Sequence, residues 1–223
     1  MPSRYERVIA IDSIGASGQA RICRGRVLVV GCGALGSLVG MYLAGGGVGT
    51  ITVADFDTVS LSNLHRQIMF SESQTGQPKA DRLADRMRAV NSEVTVDVLR
   101  SRITAADIAA LAHRFDIVAD CTDNAATKHV IASAVCRLGK TCVTGGVFGT
   151  TVQVVVSRPD GPTYNDLFGD ADNPRPGIIP VLGPAAGVAA SLQASAVMLT
   201  LSGNAPSYSL LTLDVATGVS AKF

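Results

Sequence analysis

The stretch Gly31-Cys-Gly-Ala-Leu-Gly36 decides the fold, because it joins a short apolar run to a segment with the composition of a helix. The run at 26–31 is apolar without alternation, which is typical of a parallel strand buried on both faces. The segment at 34–45 is rich in Leu, Val and Ala, and Gly45-Gly-Gly47 would end it. A strand, a glycine-rich turn and a helix in this order predict the first unit of a doubly wound sheet.

The rest of the chain continues this alternation and then changes character. Further strands are predicted at 50–55, 93–99, 116–121 and 141–144, and further helices at 78–90, 105–112 and 125–138. The later strands at 152–156 and 209–213 have no helix between close partners, so we expect them to pair in antiparallel fashion. The prediction is an α/β fold with a Rossmann-like, doubly wound, mainly parallel sheet that antiparallel C-terminal strands extend.

Two segments in the last third stand apart. The stretch at 162–180 is rich in proline and aspartate and is predicted to be a long loop. The apolar helix predicted at 185–201 is interrupted by Gln193, and no basic flank follows it. This favours a buried core or dimer-facing helix over a membrane span, and no membrane partner is expected. With 223 residues, we predict a single domain over 1–223 that opens with a helical segment at 1–25.

Composition excludes several classes of protein. Hydrophobic residues make up 47% of the chain, charged residues 17%, and the formal net charge is +1, so we expect a globular protein without a nucleic-acid partner. The first residues, from Met1 to Arg7, lack the apolar segment of a signal peptide. The five cysteines are odd in number and show no Cys-x-x-Cys spacing. A disulfide framework or zinc site is therefore not expected, and a reducing cytoplasm is.

The glycine-rich turn predicts a nucleotide site. Gly31 permits the tight bend, Gly33 lets a phosphate approach the backbone, and Gly36 lets the helix pack closely on the strand. The N-terminus of the helix adds free N–H groups and a partial positive charge. Asp55 closes the second strand about 20 residues further on, where an acid hydrogen-bonds a ribose; Asp57 could do the same. NAD and ATP would both fit these features.

Asn63, Arg66, Gln67 and Lys79 discriminate between the two nucleotides. Arginine presents a planar fork that matches phosphate oxygens, and the amide of Asn63 can donate to a bridging oxygen. Lys79 begins the next predicted helix, from which its charge can reach the same phosphates. Asp123 follows the fourth strand, where one carboxylate can bind Mg²⁺ together with phosphate oxygens. This set suits ATP used as a reagent better than NAD used as a hydride carrier.

Several nearby residues have a structural interpretation as well. Asp120 could cap a turn, Thr104 could cap the helix at 105–112, and Asn124 could be a helix N-cap. Cys32 and Cys121 are expected to be small buried apolar residues. His129 is expected on a helix surface without a catalytic role.

Four motifs together resemble the HesA/MoeB/ThiF family, the bacterial relatives of ubiquitin-activating enzymes. They are Gly31-Cys-Gly-Ala-Leu-Gly36, Asp55-Phe-Asp-Thr-Val-Ser-Leu-Ser-Asn-Leu-His-Arg-Gln67, Gly76-Gln-Pro-Lys79 and Cys121-Thr-Asp-Asn124. The likeness begins at Arg4-Tyr-Glu-Arg7 and ends with the helix that contains 187–193, so it covers nearly the whole chain.

The resemblance implies an ATP-dependent adenylyltransferase. Such an enzyme activates the C-terminal Gly-Gly carboxylate of a ubiquitin-like sulfur-carrier protein and releases pyrophosphate, in thiamin, molybdopterin cofactor or related sulfur-transfer biosynthesis. A homodimer is implied, in which the 1–25 segment brings Arg7 to the partner's site. The implied catalytic residues are Arg66, Lys79, Asp123 and Arg7. The implied ligands of Mg²⁺–ATP are Gly31, Gly33, Ala34, Gly36, Asp55, Asp57, Ser62, Asn63, Leu64, His65, Arg66, Gln67, Lys79, Asp123 and Asn124, with Asp123 on the metal.

The sequence departs from the family pattern in its cysteines. Family members often carry two zinc-binding Cys-x-x-Cys pairs, but Thr163-Tyr-Asn-Asp166 stands at the first position and no cysteine follows Cys142. Many relatives also place a cysteine in the crossover loop at 162–180, where this chain has Pro174-Arg-Pro-Gly177. Zinc is therefore not expected, and the chain is expected to stop at the acyl-adenylate. Ala34 also replaces a frequent glycine of the turn.

Two other functions stay open at this point. A nicotinamide-dependent dehydrogenase is favoured by the glycine turn alone, and it would leave Arg66 and Lys79 unexplained. A non-catalytic relative, or one that activates a different carboxylate, would share all four motifs. The sequence does not identify the carrier, the pathway or the sulfur donor.

Overall fold

The computed structural model describes residues 4–169 and 178–223. Its strands are β1 Arg26–Val30, β2 Thr50–Ala54, β3 Thr95–Leu99, β4 Ile117–Asp120, β5 Thr141–Phe148, β6 Thr151–Ser157, β7 Leu210–Asp214 and β8 Ser220–Lys222. They form one sheet in the order β3-β2-β1-β4-β5-β6-β7-β8. The pairs from β3 to β5 are parallel and those from β5 to β8 are antiparallel, so the predicted fold class is confirmed.

Helices cover both faces of the sheet. They are α1 Glu6–Ile9, α2 Gly15–Arg24, α3 Gly36–Gly45, α4 Lys79–Val90, α5 Ala105–Ala110, α6 Ala125–Arg137, α7 Tyr164–Phe168 and α8 Gly183–Ser202. The core of one face is shared by α2, α3, α4 and α8, and that of the other by α5, α6 and α7. In β1, Val27 and Val29 face the first core while Leu28 and Val30 face the second. This explains why the strand is apolar throughout.

The apolar helix α8 lies over the junction of the parallel and antiparallel parts of the sheet. It contacts β4, β5 and β6 on one side and α2 and α3 on the other. Among the described helices it alone is long and apolar enough to cross a membrane, and half of its apolar stretch is buried inside the protein. The small residues Ala185, Ala186, Ala189 and Ala190 are fully buried, so they let the helix approach the sheet closely. This arrangement confirms the predicted core helix.

Local capping explains where two helices begin. Thr104 accepts from the Asp107 N–H at 3.3 Å, and the Asp107 carboxylate accepts from the Thr104 N–H at 2.8 Å, which completes a capping box at α5. Asn124 caps α6 by accepting from the Thr127 N–H at 2.8 Å. Both caps were predicted from the sequence.

The loop predicted at 162–180 is wrong in its first part, because Tyr164–Phe168 form the helix α7. Thr163 and Asp166 make a capping box there, and the side chain of Tyr164 is buried against His129. A cap and a buried aromatic ring outweigh the local proline density. His129 is only 8% exposed, so its predicted place on the helix surface is also wrong. Residues 174–177 lie outside the described residues.

Two strands also differ from the prediction. β5 continues to Phe148, well past the predicted end at residue 144, because it pairs with β6 along its whole length. β8 was not predicted, and it adds a short outer strand to β7. Both differences arise from antiparallel pairing, which short sequence windows do not reveal.

Gln193 is the buried polar residue that joins the layers, and it gives a test of the packing. Its Nε2 donates to the carbonyls of Asp120 and Val143, each at 2.9 Å, and the side chain is fully buried. Gln193→Leu would remove both buried hydrogen bonds, so we expect a loss of roughly 2–4 kcal/mol in the free energy of unfolding. Urea denaturation measures it. The exposed control Arg86→Ala should change stability by less than about 0.5 kcal/mol, and an equal effect of both variants would contradict the assignment.

Candidate active site

The turn between β1 and α3 requires glycine at two positions. Gly31 has a φ of +89°, and a Cβ there would lie 3.0 Å from the carbonyl oxygen of Cys121. A Cβ on Gly36 would lie 1.7 Å from the carbonyl oxygen of Gly31, a distance that no side chain tolerates. The backbone of α3 therefore begins in direct contact with the end of β1, and its first N–H groups face the edge of the sheet.

Asp55 braces this turn from the neighbouring strand. Its carboxylate accepts from the Cys32 N–H at 2.6 Å and from the Asp57 N–H at 2.7 Å. Its own N–H donates to the carbonyl of Leu99 at 3.1 Å, which continues the pairing of β2 with β3. The structure thus places Asp55 beside the turn at the carboxyl end of β2, where the sequence analysis expected a ribose ligand.

Lys79 is a nearly buried cation at the start of α4. Its side chain is 5% exposed, and Nζ lies 3.2 Å from the carboxylate of Asp57, which is half exposed. Asp57 in turn donates its N–H to Asp55, whose carboxylate accepts from the Cys32 N–H of the turn. The ammonium group is therefore connected to the glycine turn through two residues and can act on a ligand bound there.

Asn63, His65 and Arg66 form a second polar group just outside the turn. Arg66 Nη2 donates to the Asn63 side-chain oxygen at 3.1 Å, and Nη1 lies 2.8 Å from His65 Nε2. Nη1 also lies 3.5 Å from the carbonyl oxygen of Ser62, whereas Leu64 packs on the core. The short helix Leu61–Asn63 turns the chain here, and Ser62, Asn63 and His65 all contact the Arg66 guanidinium group. The guanidinium group is thereby held in one orientation.

Gln67 is buried beside the glycine turn, and the hydrogen bonds of its side chain are incomplete. It is 5% exposed, and its Nε2 lies 3.3 Å from where a Cβ on Gly33 would sit. Its Oε1 has no partner within the part of the chain that the structure describes. A buried, unpaired carboxamide is unfavourable unless a ligand or water completes it.

Of the three carboxylate or amide side chains at the end of β4 and in the loop that follows, two have structural roles and one is free to bind a ligand. Asp120 is fully buried and accepts from the N–H and hydroxyl of Thr122 at 3.0 and 2.7 Å, as the turn-capping interpretation predicts. The side-chain oxygen of Asn124 is committed to capping α6. Asp123 is exposed. Of the three, Asp123 is therefore the carboxylate available to a ligand.

One pocket of about 370 Å³ brings Arg66 and Asp123 together. It is lined by His65, Arg66 and Asp123 on one side and by 178–181 on the other. The second wall is held by Gly149, whose N–H donates to Pro180 at 2.7 Å and whose carbonyl accepts from Leu182 at 3.1 Å. Arg66 and Asp123 are far apart in sequence, and the sheet places both at its carboxyl edge.

Arg7 is the one predicted catalytic residue that lies elsewhere. It is exposed on α1, and neighbouring Tyr5 anchors this helix through its ring against Gly47 and its hydroxyl to Asn91 and Glu93. These contacts lie at the amino ends of β2 and β3, opposite the glycine turn. Arg7 therefore cannot act in the site of its own chain.

Neither the cysteines nor a metal cluster add to the site. Burial raises the pKa of the Cys32, Cys121 and Cys142 thiols, so these residues stay neutral and unreactive. This confirms the expected burial of Cys32 and Cys121. Within residues 4–169 and 178–223, no three His, Cys, Asp or Glu side chains lie together as a metal cluster.

Sequence reasoning missed two contributors to this region. The 178–181 wall has no motif of its own and is recognised only from the pocket. Lys128, on α6, is 6% exposed and donates to the carbonyl of Gly145 at 2.6 Å. Its only sequence signal is a lysine on a helix with apolar residues at 131 and 132, one turn further on.

The ThiF family matches the chain over residues 5–221. The protein belongs to the ThiF family. It is 37% identical over 207 residues to the adenylyltransferase and sulfurtransferase MOCS3 of Culex quinquefasciatus, which covers 91% of this chain and 47% of that protein. It is 36% identical over 204 residues to the sulfur carrier protein ThiS adenylyltransferase of Escherichia coli K12, which covers 90% of this chain and 81% of that protein. The chain thus spans about half the length of the MOCS3 relatives.

Solved structures confirm the fold of this ThiF-family chain. A crystal structure of E. coli MccB with ATP superposes with a TM-score of 0.84 at 21% identity, covering 100% of this chain and 71% of that one. The structure of MccB with MccA-N7isoASN has a TM-score of 0.88 at 22% identity, covering 100% of this chain and 72% of that one.

The close approach at Gly36 provides a direct test of the turn. Gly36→Ala should lower the free energy of unfolding by roughly 3 kcal/mol or more, because the added Cβ meets a backbone atom that cannot move aside. Gly146→Ala is the matched control, since a Cβ there meets nothing nearer than 3.9 Å. Its effect should stay within about 1 kcal/mol in thermal or urea unfolding. Equal stability of the two variants would show that the turn is looser than described.

Proposed function

We propose that this ThiF-family chain adenylates the C-terminal Gly-Gly carboxylate of a ubiquitin-like sulfur carrier, using ATP and releasing pyrophosphate. The observation that carries the proposal is the pocket that joins Arg66 and Asp123, together with the nearly buried Lys79, which is linked to the glycine turn through Asp57 and Asp55. The E. coli relative named for ThiS adenylylation, which this chain covers over 81% of its length, supports the same activity.

The residues of the turn fit the nucleotide as substrate. The N–H groups at the start of α3 and the Nε2 group of Gln67, which lies beside Gly33, can donate to phosphate oxygens. Asp55 stands where a ribose would lie, and its two accepted hydrogen bonds keep it in place. Lys79 and Arg66 approach from different elements, so a triphosphate would meet positive charge on two sides.

The chemistry needs charge stabilisation more than a protein nucleophile. When the carrier carboxylate attacks the α-phosphorus, one bond forms to the carboxylate oxygen, the bond to the β-phosphate oxygen breaks, and pyrophosphate leaves. Negative charge builds on the phosphate oxygens during this step. Arg66 and Lys79 would offset that charge, and Asn63 would hold the Arg66 guanidinium in position.

Asp123 is suited to hold Mg²⁺ with the nucleotide. Magnesium usually takes one or two protein carboxylates together with phosphate oxygens and water, so a single exposed carboxylate is enough. When bound, the metal would neutralise part of the phosphate charge. The side-chain oxygen of Asn124 caps α6, so Asn124 would act indirectly, by fixing the start of α6 next to Asp123.

The pocket also suits the end of a carrier chain. The wall at 178–181 is apolar and Ile178 is 97% exposed, while the opposite wall is charged. A Gly-Gly terminus has no side chains, so it could pass between the walls and bring its carboxylate to Arg66. With the described thiols near the site buried, we propose that sulfur transfer uses no cysteine of this chain.

Carrier-dependent exchange between pyrophosphate and ATP tests this function. Arg66→Ala and Asp123→Ala should each lower the exchange rate by roughly 10²–10³-fold, because each removes charge stabilisation in the transition state. Arg86→Ala, on the exposed face of α4, is the matched arginine control and should keep the wild-type rate. The proposal fails if wild-type protein shows no exchange with any Gly-Gly carrier, including the sulfur carrier ThiS.

We further propose a homodimer that packs through α3 and α8. Both helices run away from the nucleotide turn, and between them Tyr42 is 52% exposed, with its hydroxyl 3.5 Å from Ser191 Oγ. On this face the site lies at one end, where Gly183 packs on His65, and α1 lies at the other. A two-fold axis through the middle would bring Arg7 of one protomer to the partner's pocket.

Subunit mixing tests the role of Arg7 in trans. The variants Arg7→Ala and Arg66→Ala should each be nearly inactive. When they are co-refolded in equal amounts, half of the dimers are mixed, and each mixed dimer holds one intact site. We therefore expect about one quarter of wild-type exchange activity. Activity no higher than the mean of the separate variants would contradict the shared site.

A further inference from the structure

Behind the pocket lies a group of buried titratable side chains that adenylation does not use. Asp120 is fully buried, and Lys128, His129 and Tyr164 are 6%, 8% and 9% exposed. They come from β4, α6 and α7 and lie directly below the loop that carries Asp123. Buried ionisable groups are uncommon without a structural or chemical reason.

The ammonium group of Lys128 has no opposite charge in direct contact among the described residues. Its Nζ donates to the carbonyl of Gly145 at 2.6 Å. Among residues 4–169 and 178–223, no carboxylate lies within 4.0 Å of it. A buried ammonium ion is unfavourable unless an opposite charge or several dipoles offset it.

Asp120 supplies the opposite charge within the same compartment. Burial, followed by the charge of Asp120, raises the pKa of the Cys121 and Cys142 thiols, and the charge of Lys128 acts on both in the opposite direction. Asp120 pairs with Thr144 of β5, and the carbonyl of the next residue, Gly145, accepts from Lys128, so the two side chains belong to adjoining positions of the sheet. Asp120 is fixed by its hydrogen bonds to Thr122, so it is a stationary counter-charge for Lys128.

The bond from Lys128 to Gly145 connects the two walls of the pocket. On one side, Lys128 lies one turn into α6, which begins directly after Asp123 and Asn124. On the other side, Gly145 lies in β5, which leads to Gly149 and its hydrogen bonds with Pro180 and Leu182. This buried ammonium group thus joins the wall with Asp123 to the wall at 178–181, in addition to the pairing of β4 with β5.

We propose that Lys128 is a positioning residue that sets the separation between Asp123 and the wall at 178–181. This inference rests on the proposed function, since that separation decides whether a carrier carboxylate meets the α-phosphate in line. Lys128 does not touch the substrate and acts through the Gly145 carbonyl. Small errors of alignment in such a site reduce turnover strongly while binding changes little.

Three variants separate this role from a general effect on folding. Lys128→Met keeps the length of the side chain without its charge or donors, and Lys128→Arg restores both. Lys140→Met is the matched control, because Lys140 donates to the carbonyl of Phe115 at 2.8 Å, just before the opposite end of β5. In carrier-dependent exchange, Lys128→Met should lower kcat roughly 10–100-fold with KM for ATP changed less than about threefold.

The same set of variants should show that an arginine at position 128 restores kcat. Lys128→Arg should regain most of kcat, and Lys140→Met should keep it. If Lys128→Met folds poorly, the double variant Asp120→Asn/Lys128→Met removes both buried charges and should recover stability but not kcat. Wild-type kcat in folded Lys128→Met or in the double variant, or no recovery in Lys128→Arg, would overturn the proposal.

Amide hydrogen exchange tests the connection without any activity. Lys128→Met should speed exchange at the Gly149 and Leu182 amides by roughly tenfold or more, while amides of β1 stay unchanged. Unchanged protection at Gly149 and Leu182 would overturn the proposal. If the wild-type protein lacks carrier-dependent exchange activity, the proposed function fails, and the amide measurement still decides whether Lys128 joins the walls.

Discussion

The contact between Gly36 and the carbonyl of Gly31 is the constraint on which the site depends. Because no side chain fits at Gly36, α3 begins against the end of β1, and its free N–H groups lie at the carboxyl edge of the sheet. Asp55 then ties this turn to β2 through the Cys32 N–H. The other groups of the pocket are positioned relative to this turn, because the parallel strands end at the same edge of the sheet.

Around the glycine turn, Lys79 and Arg66 are less exposed than the carboxylates of Asp57 and Asp123. Lys79 is almost completely buried while its partner Asp57 is half exposed, so a ligand at the turn can meet the ammonium charge. Arg66 is held by Asn63 and lines the same pocket as Asp123. Prearranged cations of this kind need little reorganisation when negative charge develops, which is how an enzyme accelerates phosphoryl chemistry.

The fold and most of the turn could be predicted because they follow from local rules. Apolar runs, Gly31 and Gly36, and the caps at Thr104 and Asn124 each specify structure within a few residues. The helix α7 was missed because the burial of Tyr164 against His129 is a tertiary contact that no local pattern reveals.

The candidate site was predictable in part. The sequence predicted Arg66 and Lys79 as two cations near a nucleotide turn and Asp123 as a carboxylate after a strand, and the structure places Arg66 and Asp123 on one pocket. The pocket wall at 178–181 and the buried Lys128 could not be found in this way. Both depend on long-range contacts, of Gly149 with Pro180 and of Lys128 with Gly145, and such pairings are not encoded in sequence spacing.

The most direct test of the account is to identify the products of one turnover. The purified chain, ATP, Mg²⁺ and a carrier ending in Gly-Gly are mixed without added sulfur donor, and the nucleotides and the intact carrier are analysed by mass spectrometry. The account predicts carrier-dependent pyrophosphate and a carrier that has gained one adenylyl group at its C-terminus. Formation of ADP and phosphate, or a carrier that stays unmodified while ATP is consumed, would contradict it.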